Sequence, residues 1–251
     1  MNEISCFEKN IEKKVNQNIN TILLKGIMAG FFIAIASMLS IVVSSTINNY
    51  SLAKLLSALV FPIGLILVVV FKAELFTGNI LVVIPLINKK IKISASLKLL
   101  IISYIGNLIG SLIAVILISN TNHFQINNYL IGNNTIKIAL SKINITKEYA
   151  FTLGILCNIL VCIAVYLASI SKTYIEKLIS CIIPVFSFVL LGFEHSIANM
   201  YYLFAALSAE RNLQTTSITI DGILNNLFFV TLGNIIGGFL IGFLINKINN
   251  K

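Results

Sequence analysis

SALVFPIGLILVVVFKAELFTGNILVVIPL, residues 57–86, is an apolar run that stops in its middle. Ser57 to Phe71 is about fifteen residues without a charge, Lys72 and Glu74 interrupt it, and apolar sequence resumes after Gly78 and Asn79 as far as Leu86. Neither piece crosses a bilayer alone, because a spanning helix needs about 20 apolar residues. Together they read as one broken helix. Residues 178–207 repeat the pattern: Leu178 to Leu191 is apolar, Gly192 to His195 brings in charge, and Ile197 to Leu207 continues. A break at bilayer depth strands backbone N–H and C=O groups, which is tolerated only where protein buries them or they line a cavity. Two breaks therefore point to a pathway. Two separate packing kinks are the plainer alternative, and the charges beside both breaks weigh against it.

The remaining apolar stretches are continuous. No charge separates Lys25 from Lys54, and Gly26 to Val43 forms a first span with Gly26, Ala29 and Gly30 at helix-packing spacing. A third span covers about Leu97 to Ile118, a fourth Tyr149 to Ser169 and a sixth about Ile223 to Ile245. The polar segment Ser119 to Lys147 reads as an extramembrane loop or a surface-lying piece. Of the 251 residues, 57% are hydrophobic and 11% charged, with a mean hydropathy of +0.95; a soluble domain carries about 25% charged residues. The expectation is one six-span membrane domain over residues 21–251, preceded by a cytoplasmic segment of residues 1–20.

Met1 to Lys25 carries Glu3, Glu8, Lys9, Glu12, Lys13 and Lys14 and no apolar h-region, which argues against a cleavable signal and keeps the N-terminus in the cytoplasm. The excess of lysine agrees. With that orientation the inner flanks hold twelve (Lys9, Lys13, Lys14, Lys25, Lys89, Lys90, Lys92, Lys98, Lys172, Lys177, Lys247, Lys251). The outer flanks hold five basic residues: Lys54, Lys137, Lys142, Lys147 and Arg211. Basic residues concentrate on the cytoplasmic side, so both termini are expected there. The net charge of +9 is spread singly or in pairs between apolar runs, which speaks for topology and against a nucleic-acid surface. Cys6, Cys157, Cys162 and Cys181 show no disulfide or metal spacing, and neither a metal nor a cofactor is expected. Richness in Ile, Lys and Asn fits an AT-rich, anaerobic bacterium and hence a bacterial cytoplasmic membrane.

The two halves match. Glu74-Leu-Phe-Thr-Gly-Asn79 in the second span has its counterpart in Glu194-His-Ser-Ile-Ala-Asn199, 120 residues later. Gly106-Asn107-Leu-Ile-Gly110 is echoed by Gly233-Asn234-Ile-Ile-Gly237. Three spans per repeat is odd, so the second repeat (about 149–247) crosses in the opposite sense from the first (about 21–118), and the site belongs where the breaks meet.

His195 is the one histidine inside a span, and an intramembrane ionisable group is a functional candidate by default. It either relays a proton or stays neutral and ties down the break. Thr77 is a hydroxyl that donates to a bound anion or to His195, or caps the following helix. Half-helices beginning after Gly78 and after His195 would aim positive dipole ends at mid-membrane, favouring anions. Glu74 and Glu194 are expected to accept backbone N–H groups of the breaks. Asn79, Asn199, Asn107 and Asn234 are expected to bridge the breaks to neighbouring helices. Lys72 beside Glu74 reads either as an ion pair at the break or as added positive potential at the inner end of the pathway, and the sequence leaves the two open.

Lys72-Ala-Glu-Leu-Phe-Thr-Gly-Asn79, Gly192-Phe-Glu-His-Ser-Ile-Ala-Asn-Met200 and Gly154-Ile-Leu-Cys-Asn-Ile-Leu-Val-Cys162 resemble the signature motifs of the formate/nitrite transporter family, and all six spans align in order. The resemblance implies an aquaporin-like homopentamer with one pore per protomer. It implies a vestibule lined by His195, Thr77 and Asn158, and an inner apolar constriction of Leu65, Leu75 and Phe76. The outer constriction would be Phe61, Val161 and Phe188, with Lys142 concentrating anions outside. Leu75 and Phe76 would sit on a mobile loop. The loop and the N-terminal segment are the candidate gates. Lys72 departs from the small neutral residue expected there.

The expected chain is thus an all-α membrane protein that passes small monovalent weak-acid anions: formate, hydrosulfide or nitrite. Its partners are that anion, the lipid bilayer and its own copies. Carriage is either proton-coupled through His195 or plain anion conduction. An aquaporin-like neutral-solute channel shares the architecture, but neither break carries Asn-Pro-Ala. A membrane-embedded enzyme would use Glu74, Glu194 and His195, but a second intramembrane histidine and a nucleophile motif are missing.

Overall fold

Asn18 shows how the long helices begin. Its side-chain oxygen accepts the Thr21 N–H at 2.7 Å, satisfying one of the donors that every helix start leaves orphaned. Asn49, Thr146 and Thr173 do the same, the last with Glu176 as a reciprocal capping box. A computed structural model describes residues 3–249; Lys251, counted with the inner lysines, lies outside the described residues. Its helices are α1 (Glu3–Val15), α2 (Ile19–Ser44), α3 (Tyr50–Val60), α4 (Ile63–Val70), α5 (Phe76–Asn79) and α6 (Val83–Ile87). They continue as α7 (Ile93–Ser119), α8 (Ile126–Ile143), α9 (Lys147–Ile170), α10 (Tyr174–Leu191), α11 (Ser196–Leu213) and α12 (Ile220–Asn249).

Six stretches are long and apolar enough to cross a membrane: α2, α3 with α4 (Tyr50–Val70), α7, α9, α10 and α12. Leu24, Ile101, Ile116, Phe228, Phe239 and Phe243 point outward, an arrangement suited to lipid rather than water. Pro62 separates α3 from α4, as a residue lacking an N–H and locked in φ does. Most spans begin a few residues earlier than the charge pattern implies. The second starts at Tyr50, so Lys54, expected in an outer flank, sits inside a helix. The segment after the first break starts at Phe76 rather than after Gly78, which makes Thr77 a helical residue and not a cap; the N-cap position is Leu75.

Two helix pairs carry the packing. In α2 and α7, a Cβ on Gly30 would lie 2.0 Å from the Asn107 carbonyl oxygen and one on Gly110 2.0 Å from that of Ile27. In α9 and α12, a Cβ on Gly233 would lie 2.1 Å from the Phe151 oxygen and one on Gly237 2.2 Å from that of Ile155. These glycines let backbones touch, the usual route to close helix contact in lipid.

Between the third and fourth spans, where a loop or a surface-lying piece is expected, the chain is largely helical. α8 is a helix that buries Ile131, Gly132, Thr135, Ile136 and Ala139, packed mainly on α11; only Asn127, Asn128 and Tyr129 at its start take left-handed backbone. The N-terminal segment is also built in. α1 buries Ile4, Phe7, Ile11 and Val15 against Ile22, Leu81, Ile84 and Leu99, with Phe7 edge-on to Tyr166 at 5.2 Å. Glu8 binds Lys90 and Asn88, and Asn88 reaches Asn246, tying α1 to α12. Cys6 on α1 is exposed, while Cys157, Cys162 and Cys181 are buried.

Glu210 closes the far end of α11: one carboxylate oxygen accepts the Ser217 N–H and hydroxyl and, at 3.0 Å, the Ile218 N–H. Glu210→Ala strands both N–H groups and is expected to cost about 2 kcal/mol. The unfolding midpoint in detergent checks this, and Glu210→Gln, which keeps an acceptor, should lose less.

Candidate functional site

Both interruptions are built from the same parts. After α4, Lys72 turns into left-handed backbone (φ 52), Ala73 N–H returns to Val68 O at 2.9 Å, and Glu74 N–H reaches Lys25 O at 3.1 Å. After α10, Gly192 makes the left-handed turn (φ 72), Phe193 N–H returns to Phe188 O at 2.9 Å, and Glu194 N–H reaches Leu153 O. Lys72 thus holds the position that glycine fills in the second half, with its side chain exposed. An L-residue pays about 1 kcal/mol for that backbone.

One asparagine then closes each break. Asn107 on α7 accepts the Phe76 N–H at 2.9 Å and donates to Gly26 O and Glu74 O at 2.8 and 3.0 Å. Asn234 on α12 accepts the Ser196 N–H at 2.9 Å and donates to Gly154 O and Glu194 O at 2.8 and 3.0 Å. A side-chain amide has one acceptor and two donors on a fork, so it substitutes for the backbone partners that an interrupted helix lacks.

The carboxylates take a different part from the one expected. Among the described residues no backbone N–H binds either carboxylate; each meets a lysine instead. Lys14 on α1 binds Glu74 at 2.8 Å and Asn79 at 3.0 Å. Lys142 on α8 binds Glu194 at 2.9 and 3.1 Å, and Glu194 also accepts from Asn199 at 2.6 Å. Glu74 is paired with Lys14, and among the described residues no Lys72–Glu74 ion pair is formed. Lys142 is not a free cation in a loop: only 13% of its side chain is exposed, and its ammonium lies 5.3 Å over the Tyr202 ring. Asn199 reaches Asn226, which donates to Lys142 O.

His195 joins the two breaks. Its Nε2 is 2.9 Å from Thr77 Oγ1, and its Nδ1 accepts the Ala198 N–H at 3.1 Å. A backbone N–H aimed at Nδ1 requires a lone pair there, so the neutral ring carries its proton on Nε2 and donates to Thr77, whose own O–H is left to donate elsewhere. Asn158 is wholly buried; its amide donates to Thr77 O at 3.2 Å and Asn234 O at 2.7 Å, while its Oδ1 has no protein partner among the described residues. It braces Thr77 from behind.

The apolar candidates Phe61, Leu65, Leu75, Phe76, Val161 and Phe188 are all buried in one core cluster. Phe61 and Phe188 meet edge to face at 5.8 Å, and Phe188 stacks on the His195 ring at 5.9 Å. Phe76 lies in α5 rather than on a loop and packs on Tyr104 at 4.9 Å. A cavity of about 550 Å³ reaches the Phe61, Phe188 and His195 side chains from the end of the molecule that carries Asn48, Tyr50 and α8. Leu65, Leu75, Phe76 and Val161 are not in its lining. Lys54 and Tyr202, which do line it, and Lys14 carry no local sequence signal that marks them as site residues. Lys14 precedes Gly26 by twelve residues as Lys142 precedes Gly154, a spacing that would have found it.

Comparison with known proteins gives this arrangement a family. A model described as formate/nitrite transporter matches residues 3–248. The chain is 34% identical to the formate channel FocA of Escherichia coli (strain K12), covering 93% of this chain and 87% of that protein. It is 32% identical to a probable formate transporter of Methanothermobacter thermautotrophicus, covering 90% and 88%. A solved pentameric formate channel with formate bound superposes with a TM-score of 0.82 at 34% identity, over 93% of this chain and 98% of that one. An FNT family ion channel shares the fold at a TM-score of 0.88 and 24% identity, over 98% of each chain. With six stretches long and apolar enough to cross a membrane and a match along nearly its whole length, the chain is a multi-pass membrane protein that belongs to the formate/nitrite transporter family.

Proposed function

We propose that this protein is a channel for small monovalent weak-acid anions, with formate its first cargo and hydrosulfide and nitrite the ones to compare. The observation that carries this is the buried Thr77–His195 hydrogen bond between the two breaks, beside a cavity with more lysines than acids. The names of its formate-channel relatives support the cargo.

An anion leaving water for the Phe61–Phe188 pair loses hydration at high cost. The free Thr77 O–H and the positive end of α11, which starts one residue after His195, offset part of it. Because Nδ1 is occupied by the Ala198 N–H, the geometry favours a neutral His195 that fixes the Thr77 hydroxyl as a donor. A proton that accompanies the anion is then supplied as hydronium from the outer solution through the vestibule and returned to water on the inner side, and the neutral acid crosses the inner constriction of Leu65, Leu75 and Phe76. Glu74, Asn79, Glu194, Asn199, Asn107 and Asn234 hold the breaks in place.

The matched hydrogen bonds of Asn107 and Asn234 support reading the chain as two inverted three-helix repeats with broken second and fifth helices. The solved relative supports a homopentamer with one pore per protomer. The lysine excess at the α1 end supports both termini inside, and residues 21–251 are read as one channel domain of a bacterial cytoplasmic membrane. α1, pinned through Lys14 to Glu74, is then the gate candidate on the inner side.

Flux into proteoliposomes tests the reading with formate, hydrosulfide, nitrite and chloride at two pH values. Formate is expected to pass faster at the lower pH and chloride to be excluded. His195→Ala, which frees the Thr77 hydroxyl to point anywhere, is expected to lower formate flux about tenfold or more, the equivalent of one hydrogen bond to a charged group. Equal passage of chloride and formate, or movement of water or glycerol with no anion flux, would overturn the proposal.

A further inference from the structure

The cavity above Phe61 and Phe188 is lined by three lysines, Lys54, Lys137 and Lys142, and by a single acid, Glu194. The three are not equivalent. Lys142 is bound to Glu194 through both carboxylate oxygens, a pair that is neutral as a unit. Lys137 is exposed at the rim. Lys54 is half-buried on α3 and is in no ion pair among the described residues. Its ammonium sits at the second break, where a Cβ on Gly192 would be 3.3 Å from Nζ. Lys54, Ser57 and Phe61 all line the cavity, as residues three and seven apart on one helix face do, so the charge and the aromatic pair face one cavity. A lysine on an apolar spanning helix is costly unless it serves a water-filled cavity.

We propose that Lys54 is the anion-capturing residue of this vestibule: its ammonium holds the incoming anion above Phe61 and Phe188 before Thr77 and His195 receive it. Lys142, whose charge Glu194 meets, is then a positioning residue for the second break. The ligand class is a small monovalent anion, with formate the probe. A divalent oxyanion such as sulfate, more costly to dehydrate, occupies the same position and blocks it. The inference rests on the channel reading, and the test separates the two.

Formate flux is measured over a concentration series in proteoliposomes of wild type, Lys54→Met and Lys54→Arg, with and without sulfate on the vestibule side. Wild type and Lys54→Arg should agree within about twofold, with sulfate raising the half-saturation concentration in both. Lys54→Met should raise half-saturation about tenfold, the gain that a charged cleft gives to local substrate concentration. Its plateau flux should change less than about twofold, and sulfate should have no effect on it. Should Lys54→Met fail to accumulate, Lys54→Gln carries the same comparison. An unchanged half-saturation in the neutral variant, or sulfate block that survives in it, overturns the assignment of Lys54. Wild-type vesicles that pass no anion overturn the channel reading instead.

Discussion

Gly30→Val is expected to yield no monodisperse folded protein. Its Cβ would stand 2.0 Å from the Asn107 carbonyl oxygen and 2.6 Å from the Asn107 Cα, both backbone atoms of α7. Side chains can rotate out of such a clash; a helix axis has to move. Moving it also breaks the Asn107 bonds to Gly26, Glu74 and Phe76, so the first break loses its closure along with the packing. The loss should exceed about 4 kcal/mol, the range reserved for failures of this kind. Gly26→Ala, one turn earlier on the same helix, meets its nearest atom at 3.1 Å and should survive with a modestly lower midpoint. Size-exclusion profiles and thermal midpoints in one detergent compare them. A folded Gly30→Val protein with formate flux would mean that α2 and α7 are not locked as described.

Glu194→Ala is expected to destabilise the protein by about 3–5 kcal/mol, because it leaves the Lys142 ammonium without its carboxylate and removes one of the two acceptors of the Asn199 amide, which keeps Asn226. Removing both charges, Lys142→Met with Glu194→Ala, should recover at least about half of that loss. The double-mutant cycle then reports a coupling well above the 0–1 kcal/mol of exposed pairs. Glu74→Ala is the internal control. Its partner Lys14 is 29% exposed against 13% for Lys142, so water can solvate the abandoned ammonium and the loss should be smaller. Unfolding midpoints of the five proteins decide it, and equal losses at Glu74 and Glu194 would refute burial as the cause.

Much of this is legible in the residues because the bilayer restricts what a chain can do. Apolar runs must be helices, and Glu-containing interruptions must be buried in protein, so 72–79 and 192–199 announce themselves. The Gly-Asn pairs at 106 and 233 read as packing sites for the same reason. The partners of Glu74 and Glu194 are not legible from local spacing, since they lie 60 and 52 residues away on α1 and α8. The segment forming α8 is rich in Asn and flanked by turns, which hides a helix whose buried face depends on contact with α11. Lys54 hides in a different way. Counting lysines for orientation treats it as a flank residue, whereas its helix begins at Tyr50 and carries the charge inward.

The distribution of cysteines gives the protein an unplanned experimental handle. Three thiols are sealed within the bundle and one, Cys6, is exposed on α1. A maleimide dye added to the folded protein should therefore mark a single address without any cysteine engineering. Because α1 is joined through Lys14 to the first break, that dye would sense any lifting of the helix as a change in emission. In sealed vesicles, whether an impermeant dye reaches Cys6 from inside or outside would also report which way round the protein was inserted.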